Sequence, residues 1–191
     1  MSAGVRQPMT LAEFLAWEER QELRWEFDGF EPVAMTGGTY AHETIGGNIR
    51  FAVRTRLGAG PCRIQGPTLK IEVAGRVRYP DAFVVCSPVP PRGTVVRDPV
   101  VVFEVLSEST SRTERIEKLR EYGATPSIQR YVILEQDAIA AMVFVRRGGD
   151  LIAEALLADD ILRMPEIDVE VPMAEFYSGV ELSDEAAQRT V

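Results

Sequence analysis

Lysine is nearly missing from this chain. Of its 21 basic residues, only Lys70 and Lys118 are lysines, and His42 is the single histidine. In a sequence so inclined to arginine, a retained lysine marks a need for a compact ammonium whose pKa can shift. Cysteine is equally scarce. Cys62 and Cys86 sit in strand-like runs without CxxC spacing, which excludes a zinc cluster and makes them small buried hydrophobes of a reducing compartment, with no disulfide expected. No run of about eighteen apolar residues exists, and the first nine residues lack the apolar core of a signal peptide. The expectation is a soluble, cytoplasmic protein with no membrane partner. Internal repeats and low-complexity tracts are absent too.

What is present is a chain of 191 residues with 46% hydrophobic content, enough to bury a sizeable core. One domain over residues 1–191 is expected, with its core at roughly 9–180 and a polar tail at 183–191 that frays. The net charge of −8 argues against generic adhesion to nucleic acid, but it is unevenly spread. Residues 1–45 hold 3 basic and 8 acidic side chains, residues 46–135 hold 14 and 9, and residues 136–191 hold 4 and 12. The middle is basic.

Along the chain, Thr10-Leu-Ala-Glu13 is a capping box before apolar residues at helical spacing. Leu23–Phe27 and Phe30–Met35 flank Asp28-Gly29, a two-residue hairpin signal that puts Trp25 and Phe27 on one face and Glu26 on the other. Tyr40–Leu57 carries a helical stripe of Ile45, Ile49, Ala52 and Val53, which His42 extends by one turn. Cys62–Gln65, Leu69–Val73 and Val77–Cys86 predict an antiparallel meander. A proline-rich connector then leads to a strand at Val101–Leu106. Ser111-Arg-Thr-Glu114 predicts a capped helix running to Gly123, with Ile116, Leu119 and Tyr122 as its apolar line and Lys118 at the edge. Strands at Ile128–Leu134, Ala138–Val145 and Leu151–Leu157 follow. The fold class is α/β, a mixed central β-sheet flanked by helices.

One residue stands out against this pattern. Glu104 interrupts the otherwise apolar run Val101–Leu106, and a buried, unpaired carboxylate costs several kcal/mol or is forced to neutralise. A metal ion or cation beside it is therefore expected. Asp81 follows Pro80 in a strand whose proline belongs at an edge or a bulge, so Asp81 and Glu104 are placed on adjacent strands. Two carboxylates with room for water suit Mg²⁺, with Mn²⁺ as a substitute, because Mg²⁺ prefers oxygen ligands and keeps several waters.

Trp25-Glu26-Phe-Asp-Gly29, His42, Tyr79-Pro80-Asp81, Phe103-Glu104-Val-Leu-Ser107, Ser109-Thr110 and Lys118-Leu-Arg-Glu-Tyr122 together resemble the putative restriction endonuclease family of the PD-(D/E)XK nuclease superfamily, over roughly residues 9–180. The resemblance implies a restriction-endonuclease-like core in which Asp81 and Glu104 bind Mg²⁺, and Glu26 and His42 complete an acidic cavity. The chain departs from the superfamily motif at Leu106, two positions after Glu104, where the motif has lysine. The resemblance implies that Lys118 of the following helix takes over that function. The activity expected is a Mg²⁺-dependent DNA endonuclease acting as a homodimer, with Lys70, Arg112 and Arg115 as phosphate contacts. The alternative is a nuclease-fold binding module with little catalysis, and a more distant one is an interaction protein whose acidic termini meet a basic partner. Ser107 and Ser109 lack the glycine elbow of a serine nucleophile.

Overall fold

The computed structural model describes residues 8–35, 37–107 and 112–182, with the side chains of Arg112 and Thr113 outside that description. Ser109, Thr110, Ser111 and the tail at 183–191 also lie outside it. In the first helix, α1 (Leu11–Glu18), the expected capping box is formed: Thr10 Oγ1 accepts from the Glu13 N–H, and Glu13 in turn accepts from Thr10 N. Two short strands follow, β1 (Trp25–Phe27) and β2 (Pro32–Ala34). Their connection is longer than the two-residue turn expected from Asp28-Gly29. Asp28 Oδ1 accepts from both Phe30 N and Glu31 N at 2.8 Å, and this side-chain turn sets the loop.

The long helix α2 (Tyr40–Arg56) buries the predicted stripe of Ile45, Ile49, Ala52 and Val53. Next come β3 (Arg63–Gln65), β4 (Lys70–Val73), β5 (Arg76–Arg78) and β6 (Ala82–Val85). The expected meander is not formed. Only β4 and β5 make a hairpin, while β3 pairs with β6 in a different sheet. The expected strand Val77–Cys86 is two strands, because the chain leaves one sheet and enters another at Tyr79-Pro80-Asp81, where proline removes a ladder donor.

The remaining strands and α-helix are β7 (Val95–Val96), β8 (Pro99–Val105), α3 (Arg112–Gly123), β9 (Arg130–Leu134), β10 (Ala140–Arg147), β11 (Asp150–Leu157), β12 (Ile161–Met164) and β13 (Val169–Pro172). The main sheet has six strands in the order β11-β10-β9-β8-β6-β3, with β8 and β9 parallel and the other pairs antiparallel. A five-stranded sheet runs β2-β1-β5-β4-β7, and β12 pairs with β13. The main sheet buries alternate residues in two clusters: Val101, Phe103 and Val132 pack with α2, while Val102, Tyr131 and Ile133 pack with Tyr122 of α3. This is the mixed α/β architecture with flanking helices that the sequence implies. Among the described residues no helix is long and apolar enough to cross a membrane.

Cys62 and Cys86 correct a further expectation, since they are bonded to each other as a disulfide. Arg63 pairs with Val85, so one step outward in the antiparallel register brings the two cysteines face to face. Their separation of 24 residues carries no pairing signal in the sequence.

Gly66 holds the far end of β6 in place. Its φ of +118° suits glycine, and a Cβ there would lie 2.6 Å from the Asp81 carbonyl oxygen and 2.9 Å from Ala82 Cα. Gly66→Ala should therefore push the Asp81 backbone aside and cost about 1–3 kcal/mol, read as a lowered urea midpoint. An unchanged midpoint would show that the backbone yields at no cost.

Candidate active site

Ala82 pairs with Phe103 across β6 and β8, so continuing the register by one residue sets Asp81 opposite Glu104. The antiparallel pair thus places two carboxylates side by side. Asp81 Oδ2 accepts from Val105 N at 2.7 Å and lies 3.3 Å from His42 Nε2, which the first turn of α2 delivers. Glu104 is buried. Its Oε2 accepts from Lys118 Nζ at 3.1 Å, and its Oε1 accepts from the Tyr122 hydroxyl at 2.9 Å. Lys118 also meets Glu114, one helical turn back, at 3.5 Å.

The helix that supplies Lys118 is rotated relative to the expected apolar line. Ile116 is exposed, whereas Lys118, Glu121 and Tyr122 are buried. What turns α3 this way is a guanidinium fork. Buried Arg78 of β5 grips Glu121 with Nε to Oε2 at 2.8 Å and Nη2 to Oε1 at 2.6 Å, and its Nη1 reaches Glu26 Oε2 at 3.1 Å. Glu26 is therefore buried on the hairpin face opposite Phe27, where it also accepts from Tyr79 N at 3.0 Å. The sequence reading missed Arg78, Glu121 and Tyr122 as site residues. The i+3 and i+4 positions after Lys118 were the available signal, since they share its helix face.

Asp81, Glu104, Lys118 and His42 come together, and Glu26 stands behind them through Arg78. Lys70 does not. Its ammonium is buried in an ion pair with Glu18, whose other oxygen accepts from the Tyr79 hydroxyl at 2.6 Å, so it is unavailable to a phosphate. Arg115 is exposed on α3, and the Arg112 side chain lies outside the described residues. Leu106 is partly buried and packs against the cluster around Tyr122 and Tyr131, so its position offers no charge to the site.

Burial pushes the Glu104 carboxyl up to about 7, while the Lys118 ammonium pulls it down, the Asp81 and Glu26 charges push it up, and Tyr122 pulls it down. The charge of Glu104 holds Lys118 above its usual range against the cost of desolvation. One direction favours a neutral carboxyl and the other a charged one. The 3.1 Å contact favours the ion pair at and above neutral pH. Tyr122 is raised well above its ordinary value by burial and stays a donor.

Among the described residues, no group of three or more His, Cys, Asp or Glu side chains is arranged to hold a metal ion. The donor set is two carboxylates, one desolvated beside a like charge. Such a pair fits a hard divalent cation that retains water better than a zinc site.

His42 reports on this pair. Its bond to Asp81 raises its pKa above 6.5, burial opposes this, and the Asp81, Glu104 and Glu43 charges add to the rise. The contact therefore stabilises the fold below pH 6.5 and is lost as pH rises through the raised value. Because His42 is the only histidine, its NMR titration needs no assignment. The midpoint should lie above 6.5, fall in Asp81→Asn, and fall on adding Mg²⁺ if the cation displaces the proton's partner. A midpoint unmoved by Asp81→Asn would break the link between the two residues.

The family described as "Uma2: Putative restriction endonuclease" matches residues 11–172. Among curated proteins, the chain is 30% identical over 172 residues to the uncharacterized protein slr1290 of Synechocystis sp., covering 88% of this chain and 90% of that one. A second Synechocystis protein, the uncharacterized sll1609, is 25% identical over 143 residues, covering 71% and 80%. Among solved structures, the crystal structure of a putative nuclease belonging to DUF820 from Anabaena variabilis superposes with a TM-score of 0.76 at 16% identity, covering 91% of this chain and all of that one. That likeness shows the fold.

Proposed function

We propose that this chain, which belongs to the Uma2 family of putative restriction endonucleases, is a Mg²⁺-dependent DNA endonuclease that hydrolyses phosphodiester bonds. The observation that carries the reading is the Lys118 ammonium 3.1 Å from Glu104, with Asp81 in register opposite. This supports a lysine function moved from the position of Leu106 to α3. Asp81 and Glu104 would hold the metal, which when bound supplies Lewis-acid polarisation of the phosphate and acidifies a water. The chain's own groups do the rest. Val105 N and His42 hold the Asp81 carboxylate, and Tyr122 and Lys118 hold Glu104. Lys118 would stabilise charge gathering on the phosphoryl oxygens. Glu26 acts at one remove, by holding Arg78. Arg115, with Arg112, is the proposed phosphate contact beside the site. Cutting both strands of a duplex calls for two such sites, and so for a homodimer.

A second reading rests on the closure of the same network. Both Glu104 oxygens are already satisfied by Lys118 and Tyr122, as in a purely structural ion pair, which suits a binding module without catalysis. Supercoiled plasmid incubated with Mg²⁺ or Mn²⁺ separates the two. The endonuclease should convert it to the nicked form, with no conversion under chelator or in Asp81→Asn. Wild type that binds DNA without nicking it would leave the binding module.

A further inference from the structure

Three of the four strands that end the two larger sheets are blunted in ways that discourage pairing with another chain. β2 is three residues long and contains Pro32, β3 is three residues long with exposed Arg63, and β7 has two residues. Short length, proline and charge are the usual devices. β11 is neither short nor interrupted by proline, and its only charges are Asp150 and Glu154. It runs eight residues, Asp-Leu-Ile-Ala-Glu-Ala-Leu-Leu, without proline, lysine or arginine, and Ile152 and Leu157 are 47% and 53% exposed.

The backbone hydrogen bonds show which groups of β11 face outward. Ala140 O accepts from Glu135 N and Arg146 N donates to Gln129 O, so the even residues of β10 bond toward β9 and its odd residues toward β11. In β11 the even residues therefore face β10. Leu157 confirms the alternation, since its N–H and C=O turn away to Asp160. Leu151, Ala153 and Ala155 are left with outward N–H and C=O groups that have no partner among the described residues.

We infer that β11 pairs antiparallel with β11 of a second copy, about a two-fold axis through Ala153, joining two six-stranded sheets into one. Overlap and charge select this register, since an axis through Leu151 or Ala155 pairs fewer residues of the strand. With outward residues pairing outward residues, an axis through Glu154 would set that carboxylate against its own copy, and an axis through Ile152 would set Asp150 against Glu154. The axis through Ala153 places Ile152 opposite the partner's Glu154, Leu151 opposite the partner's Ala155 and Asp150 opposite the partner's Leu156. No like charges then meet directly. The pairing does not depend on the nuclease reading, and either can fail alone.

The test is the mass of the full chain in solution, by sedimentation or light scattering across a wide concentration range. Wild type should show twice the chain mass. Ile152→Glu, which faces the partner's Glu154 twice per dimer, should weaken the dimer roughly tenfold or more. Ile152→Lys, equally polar but opposite in sign, should keep it. Ala153→Pro, which removes an outward donor at the axis, should give monomer. Should that variant not fold, the two Ile152 variants decide. A monomeric wild type overturns the proposal, and so does a dimer in which Ile152→Glu and Ile152→Lys behave alike.

Discussion

Replacing Arg78 by methionine should cost about 3–5 kcal/mol of folding stability, the penalty typical of removing one partner from a buried ion pair. Arg78 is only 4% exposed, and its loss strands two carboxylates, Glu121 and Glu26, in the interior. Arg76 reaches Glu121 at 3.1 Å but is more exposed, and the ion-pair partner of Glu26 is Arg78 itself. Arg78→Lys keeps the charge and loses the fork, so it should fall between the two. The double variant Arg78→Met/Glu121→Leu should recover part of the loss, because a well-packed apolar pair often matches a buried ion pair. Urea unfolding of the three variants measures this. If Arg78→Met stays within about 1 kcal/mol of wild type, the fork is not what secures α3.

Lys118→Ala should lower the nicking rate by about 10²–10³, the usual loss when one transition-state donor is removed. Divalent-metal affinity at alkaline pH should stay close to wild type, since Asp81 and Glu104 sit on strands that the substitution does not touch. At lower pH that affinity should drop sooner than in wild type. Without the ammonium, only the Tyr122 hydrogen bond opposes burial and the Asp81 and Glu26 charges on Glu104, so its carboxyl takes up a proton more readily. Calorimetry with Mn²⁺ alongside plasmid nicking separates the two effects. Unchanged nicking in Lys118→Ala would remove this lysine from the chemistry, and metal binding lost at every pH would make it a folding residue.

Much of the fold was legible because local pattern and final environment agree. The Thr10 box, the stripe on α2 and the strands from Arg130 to Leu157 each follow from short-range signals, and Glu104 announced itself as a carboxylate in an apolar run. Departures arise where partners are far apart in sequence. Tyr79-Pro80-Asp81 passes between sheets, a decision made by which strands stand beside β6 and β5 and not by the segment itself. The Cys62–Cys86 bond depends on the β3–β6 register. Lys70 reads in the sequence as a surface cation, but Glu18 of the first helix stands beside it. In α3 the apolar residues suggested an inward line through Ile116, and the ionic partners of Lys118 and Glu121 turned the helix elsewhere. The grouping of Asp81, Glu104 and Lys118 was accessible, whereas Arg78 was not, because nothing around it in the sequence points to Glu121.

The polar underside of α3 also bears on the order in which the chain acquires its structure. Apolar surfaces reward approximate approach, while a guanidinium fork and a tyrosine hydroxyl reward only near-final geometry. The sheet and α2, joined by Ile45, Val101, Phe103 and Val132, have the material to collapse first. Docking of α3 is then expected on the native side of the folding barrier, so changes at Arg78 or Glu121 should accelerate unfolding and leave the folding rate nearly untouched. On this view the candidate site is the last part of the molecule to assemble and the first to come apart.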